Sequence, residues 1–128
     1  MGEPPFEAAL SPAEQAAMGE LLAAERESTL SQIAALTRDW DDLVAASAMV
    51  ANDDEHDPEG ATIAFERSHL QALLDRAHAH LGELDEMTER LRRGTYGVCD
   101  GCGRPIAPER LRARPVARTC IRCAGRGR

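Results

Sequence analysis

Four cysteines, the only ones in the chain, fall in its last quarter as two pairs of identical spacing. They are Cys99-x-x-Cys102 and Cys120-x-x-Cys123, with seventeen residues between the pairs. A cation held tetrahedrally by four thiolates needs two such chelating turns brought together by a loop, and zinc suits this donor set. Gly97, Gly101 and Gly103 surround the first pair, where a backbone curling around a metal leaves no room for a Cβ. Disulfides or a redox-active dithiol are the competing uses of paired cysteines. Two equal pairs in a chain without a secretion signal favour the metal. Four thiolates fill all four positions and exclude water. One zinc on Cys99, Cys102, Cys120 and Cys123 is therefore expected to be structural, not catalytic.

At 128 residues the chain is one small domain or two very small lobes. Only Phe6, Trp40, Phe65 and Tyr96 are aromatic, too few for an ordinary mixed core; alanine, leucine, glutamate and arginine dominate, a composition for long helices. No stretch approaches the length of a membrane span, and the acidic start MGEPPFEAAL lacks the basic residues of a signal peptide. The expected location is the cytoplasm, with no membrane partner.

Charge is divided along the chain. Residues 1–89 carry 20 acids against 4 arginines, a net of −16; residues 90–128 carry 2 acids against 11 arginines, a net of +9. A zinc with four thiolates adds about −2 locally, so the C-terminal part stays basic. A basic zinc module invites a nucleic-acid reading, but phosphates would repel so acidic an arm. The pattern fits better a protein partner with surfaces of both signs, and no direct sequence-specific DNA binding is expected.

Ser11-Pro12-Ala13-Glu14 reads as a capping box with proline at the first helical position. Beyond it, Leu22, Thr29, Leu36, Leu43 and Val50 recur every seven residues, with Arg26, Ile33, Trp40 and Ser47 interleaved. A second seam runs through Ile63, Leu70, Ala77, Leu84 and Leu91, with Arg67, Leu74, Leu81 and Thr88 between, and Gly94 ends it. Each helix should span about 50–60 Å. The fold class expected is all-α: a long antiparallel coiled-coil hairpin followed by a small four-cysteine lobe. Leu36 and Trp40 are expected near Leu74, Ala77 and Leu81. Two helices each pairing with another chain remain the alternative, with a monomer preferred. The organisation read here is a tail over 1–11, the hairpin over 12–94 with its tip at 52–61, and the zinc finger with a short basic tail over 95–128. Val98, Ile106, Leu111, Val116 and Ile121 are the apolar residues available to the zinc lobe.

The tip places Asp53, Asp54, Glu55, Asp57 and Glu59 within seven residues, with Asp57-Pro58 as cap and first residue of the second helix. A solvated turn explains such acids, and so does delivery of negative charge into a confined site at the end of a stiff arm. The spacing is not that of an EF-hand. His56, His69, His78 and His80 are not needed by a four-cysteine zinc and read as surface residues. No serine has a base and orienting acid beside it, and no phosphate loop follows the glycines. The chain does not read as an enzyme.

Tyr96-Gly97-Val98-Cys99-x-x-Cys102-Gly103, Ile106, and Arg110-Leu111-x-Ala113-x-Pro115-x-Ala117-x-x-Cys120-x-x-Cys123 resemble the zinc finger of the DksA/TraR family. The resemblance implies a bacterial transcription factor that binds RNA polymerase directly. Its coiled-coil tip would enter the secondary channel and alter promoter-complex stability. The family's tip motif, Asp-x-x-Asp-x-Ala, falls on His56, Glu59 and Ala61, with Asp57 one residue away, so Asp57, Glu59 and Ala61 are the partner-binding candidates. After Cys123 only Ala-Gly-Arg-Gly-Arg follows; the family's C-terminal helix is thus expected to be missing, which speaks against dependence on ppGpp. Two other readings stay open. One is a zinc module binding nucleic acid; the other is a transcript-cleavage-type factor whose tip acids hold a second Mg²⁺ in the polymerase.

Overall fold

The computed structural model describes residues 10–50 and 58–126. These residues form four helices: α1 (Pro12–Val50), α2 (Pro58–Arg93), α3 (Pro108–Ala113) and α4 (Ile121–Arg126). No extended strand occurs among the described residues, only an isolated antiparallel bridge between Val98 and Pro105. No described helix is long and apolar enough to cross a membrane.

The ends of the long helices follow from local chemistry. The Ser11 amide donates to Glu14 Oε1 at 2.9 Å and the Glu14 amide donates back to Ser11 Oγ at 3.1 Å, a closed capping box. At the far end of α2 the Gly94 amide bonds the Leu91 carbonyl and the Thr95 amide bonds the Arg90 carbonyl. That pair of bonds is a Schellman motif, and it needs the left-handed φ of +82° that Gly94 supplies. Arg90, Arg92 and Arg93 occupy the last turn, where cations suit the helix dipole.

The chain forms two compact units: residues up to Arg26 with Gly82–Arg128, and Glu27–Leu81. In the first, α1 and α2 run antiparallel. Gly19 lies against Leu91, and Arg26 Nε reaches Asp85 Oδ1 at 2.7 Å. Met18 and Leu22 from α1 and Leu84 and Met87 from α2 join Tyr96, Cys99, Ile106 and Leu111 in one buried cluster. The cysteine lobe therefore has no core of its own; it borrows four side chains from the helices. Ile121 belongs to none of it and is 70% exposed. The second seam also shifts here, with Met87 buried in place of Thr88. Thr88 turns its hydroxyl to the Leu84 carbonyl instead, at 2.8 Å.

Among the described residues of the second unit, two helices cover each other. Thr29 and Ala77 are buried, while Ile33, Leu36, Leu43, Ile63, Leu70, Leu74 and Leu81 are half-buried. Trp40 is half-buried as well, sharing a cleft with Ala64, Arg67, Ser68 and Gln71, with the Arg67 guanidinium 5.7 Å from the ring centroid. This corrects the expected placement of Trp40 against Ala77 and Leu81. A heptad seam repeats every seven residues and so leaves the register open by whole repeats. An antiparallel pair instead matches residues equally far from the connection: Trp40 stands ten residues before Val50, and Arg67 nine after Pro58.

The two burial patterns separate two substitutions. Leu84 is fully buried, so Leu84→Ala should cost about 2–5 kcal/mol by urea denaturation. Trp40→Ala should cost less than the roughly 3–5 kcal/mol of a fully buried aromatic. A Leu84→Ala protein as stable as wild type would show that the shared core does not hold the first unit together.

Candidate metal centre

The two cysteine pairs sit on different local structures. The first lies in a tight turn: the Cys99 amide bonds the Arg104 carbonyl at 2.8 Å, and the Gly103 amide bonds the Cys99 carbonyl at 2.9 Å. Two glycines permit it. A Cβ on Gly101 would stand 3.0 Å from Cys123 Sγ and 3.2 Å from its Cβ, so only glycine lets the turns close on each other without displacement. Gly97 has φ +87° and lies under Leu111, where a Cβ would meet Cδ1 at 3.2 Å. The second pair straddles the start of α4, whose first carbonyl bond runs from the Ala124 amide to Cys120 at 2.9 Å.

Between the pairs, α3 starts at Pro108 and buries Leu111 completely. The Tyr96 hydroxyl donates to the Pro115 carbonyl at 2.7 Å, and Arg110 Nε donates to the Thr119 carbonyl at 2.9 Å. The Asp100 amide bonds the Arg118 carbonyl at 2.7 Å, tying the first turn to the approach of the second. Burial pushes the Tyr96 phenol up to about 12, so it stays a neutral donor.

These bonds bring all four Sγ atoms within 4.8 Å of one another, and all four cysteines are free. Cys102 and Cys120 sulfurs are 3.9 Å apart, far beyond a disulfide bond. A tetrahedron with zinc–sulfur bonds of about 2.3 Å has edges of about 3.8 Å, so the separation fits a shared cation. The surroundings prepare the thiolates. Burial opposes charge on Cys99, but backbone hydrogen bonds from Cys120, Cys102 and Gly101 outweigh it and pull its pKa down to about 6. The Gly101 amide stands 3.3 Å from that sulfur. Four sulfurs this close cannot all ionise unaided: Cys123 is pushed up to about 12, first by its contact with Cys99. A divalent cation at their centre resolves that conflict. The four cysteines form a C4 zinc-finger site for one structural zinc.

An ion-pair cluster that no local sequence pattern reveals fastens this lobe to α2. Glu86 accepts from both Arg118 and Arg90, and Asp100 pairs with the same two arginines, Arg90 at 3.2 Å and Arg118 at 3.8 Å. The Arg118 hydrogen bond holds the Glu86 carboxyl below its usual range and raises the Arg118 guanidinium. The sequence signal was the charge division, acids on the helices against arginines after residue 89.

The remaining predicted residues are elsewhere. Asp57 and His56, and the tip acids Asp53, Asp54 and Glu55, lie outside the described residues. Glu59 falls in the first turn of α2, and Ala61 is exposed on the next residues of that helix. His69 and His78 are exposed, whereas His80 is half-buried, unlike the surface position expected of it.

Residues 94–126 match the family described as prokaryotic dksA/traR C4-type zinc finger. The fold matches transcription factor DksA2 from Pseudomonas aeruginosa with a TM-score of 0.77 and 30% identity, over 91% of this chain and 84% of that one. Curated relatives include an uncharacterised Aquifex aeolicus protein, 29% identical over 78% of this chain and 57% of its own length. Bacillus subtilis YteA is 36% identical over 52% of this chain and 28% of its own, and general stress protein 16O of the same organism is 32% identical over 53% and 42%. The chain thus spans from about a quarter to somewhat over half the length of these three relatives.

Two outcomes check the centre. Elemental analysis of protein purified without chelator should find one zinc per chain. Gly101→Ala should lower zinc affinity on the order of tenfold, because the added methyl pushes against Cys123, whereas Gly125→Ala, with open space around it, should not. The ion-pair cluster should also show in pH dependence. A carboxyl depressed in the folded state contributes stability above its unfolded pKa and loses it as pH falls through the folded value. The melting-temperature gap between wild type and Glu86→Gln should therefore be widest near neutrality and close in acid. A gap that is unchanged or grows on acidification would contradict this assignment.

Proposed function

Because the chain belongs to the DksA/TraR family of C4-type zinc-finger proteins, we propose that it is a transcription regulator that binds RNA polymerase directly and alters promoter-complex stability. The observation that carries this reading is the likeness to DksA2 over most of both chains, at 30% identity. The zinc finger supports it, because a closed tetrathiolate site stabilises a docking module and supplies no reactive water. The protein works without catalytic chemistry of its own, as a monomer in the cytoplasm.

In this reading the paired helices carry the acidic connection through the secondary channel of the polymerase. The four-cysteine lobe remains at the base. Asp57 and Glu59 act there as charges and Ala61 as a small residue in close contact. An acid cluster presented in a confined, low-dielectric passage interacts with cationic groups far more strongly than in bulk water. The proposal gives ppGpp no required role and gives free nucleic acid no part in recruitment.

The test separates docking from effect. Asp57→Asn with Glu59→Gln removes two charges while nearly preserving shape, and Asn retains most of the capping capacity of Asp. Core polymerase should still bind the double variant with an affinity within a few-fold of wild type, because rim and tip charges affect encounter more than residence. The change in promoter-complex lifetime should largely vanish. A double variant that binds normally and shifts lifetimes as wild type does would reduce the tip to a solvated turn. Failure of wild type to bind core polymerase would remove the proposal altogether.

A further inference from the structure

The arginines of the first unit differ in their partners: Arg26 pairs with Asp85, and Arg110 bonds the Thr119 carbonyl. Arg90, Arg92, Arg93 and Arg118 are paired with Glu86, Glu89 and Asp100. Arg104, Arg122 and Arg126 have no acidic partner among the described residues. Yet these three line a single cavity of about 190 Å³ together with Cys102, Cys120 and Cys123. Their placement follows from the zinc lobe itself. Arg104 closes the first cysteine turn, its carbonyl accepting from the Cys99 amide, and Arg122 and Arg126 stand four residues apart on α4. Like charges at that spacing repel and weaken a helix slightly, a cost that an anion held between them offsets.

Four thiolates around a zinc would be one such anion, of about −2, and Cys102, Cys120 and Cys123 line the cavity. Three guanidiniums exceed it and leave the cavity positive. We propose that Arg104, Arg122 and Arg126 form a docking site for an acidic peptide segment of the protein partner, the carboxylates entering the cavity beside Cys102. The inference rests on the polymerase-binding reading for the identity of that partner. Size supports a carboxylate: about 190 Å³ is well below the roughly 300–1,000 Å³ of small-molecule and cofactor pockets, but accommodates side-chain acids. Guanidinium supports it too, since its planar fork matches a carboxylate through two parallel hydrogen bonds. A nucleic-acid strand satisfies the same cations less well. It is a continuous polyanion, and the acidic balance of the chain disfavours a long phosphate backbone more than a short run of carboxylates.

The experiment uses the zinc-loaded full chain. Octaglutamate, and separately a single-stranded DNA octamer, are titrated into labelled protein and followed by NMR. Octaglutamate should shift the resonances of Arg104, Arg122 and Arg126 at lower concentration than DNA does, and salt should reverse the shifts. Arg104→Gln/Arg122→Gln/Arg126→Gln should retain one zinc, lose the peptide shifts, and bind core polymerase about tenfold more weakly, the sum expected of three partly exposed ion pairs. Absence of shifts at these arginines overturns the site, as does DNA binding more tightly than the peptide. So does a triple variant that loses zinc while its zinc-loaded fraction binds peptide unchanged, which would make the arginines mere screens for the thiolates. The two readings fail separately. If wild type ignores polymerase while the peptide still titrates these arginines, the polymerase reading falls and the acidic-peptide site stands. If wild type and a zinc-replete triple variant bind polymerase equally, the site falls and the polymerase reading stands.

Discussion

Four thiolates within 4.8 Å of one another repel strongly, and the lobe that gathers them has no apolar interior large enough to impose that crowding alone. A divalent cation held by all four would convert the repulsion into attraction. It also explains why so much of the neighbouring backbone is committed to the sulfurs. The glycine at 101 exists because the two turns must touch, and the amide donors around Cys99 exist because its sulfur must carry charge in a buried place. Small domains lack the buried area to fold on hydrophobic burial alone, and a structural metal is a common remedy. Here the remedy is doubled, since the lobe also takes Met18, Leu22, Leu84 and Met87 from the helices as its core.

That shared core changes what the helices are. Toward the zinc end they are part of a layered apolar cluster with an ion-pair seal of Glu86, Asp100, Arg90 and Arg118 on its surface. Within Glu27–Leu81, Thr29 and Ala77 are buried, and Ile33, Leu36, Trp40, Leu43, Ile63, Leu70, Leu74 and Leu81 are only half covered. Two helices alone cannot enclose a core, so stability there comes from a single stripe of contacts plus helix propensity. Trp40 under the Arg67 guanidinium is part of that thin seam.

Much of this was legible in the sequence wherever a feature is local. The cysteine pairs, the capping box at Ser11 and the glycine stop at Gly94 each depend on residues a few positions apart, and each formed as read. The heptad seams located both long helices but not their register, because a seven-residue repeat looks the same after a shift of seven; the placement of Trp40 was missed for that reason. Ile121 was counted as lobe core on hydropathy alone, yet α4 turns it outward to bring Cys120 and Cys123 to the metal. The Glu86–Arg118 contact spans 32 residues, and nothing in either local pattern could pair them. The charge division announced that such pairs exist without saying which.

The same division bears on why the C-terminal segment carries more arginine than its own fold requires. Of the net +9 after residue 89, part is absorbed by Glu86 and Glu89 from α2 and part by the thiolates. Arginines engaged in those contacts are structural, and their charge is spent inside the protein. Those around Cys102 are not so engaged, and they are fixed on the backbone by the zinc turns themselves. Fixing a cation before a partner arrives lowers the ordering cost of binding, which is where flexible surface ion pairs lose most of their value. A structural zinc can thus contribute to recognition without touching a partner: by holding Cys120 and Cys123 it holds α4, and by holding α4 it holds Arg122 and Arg126 in place.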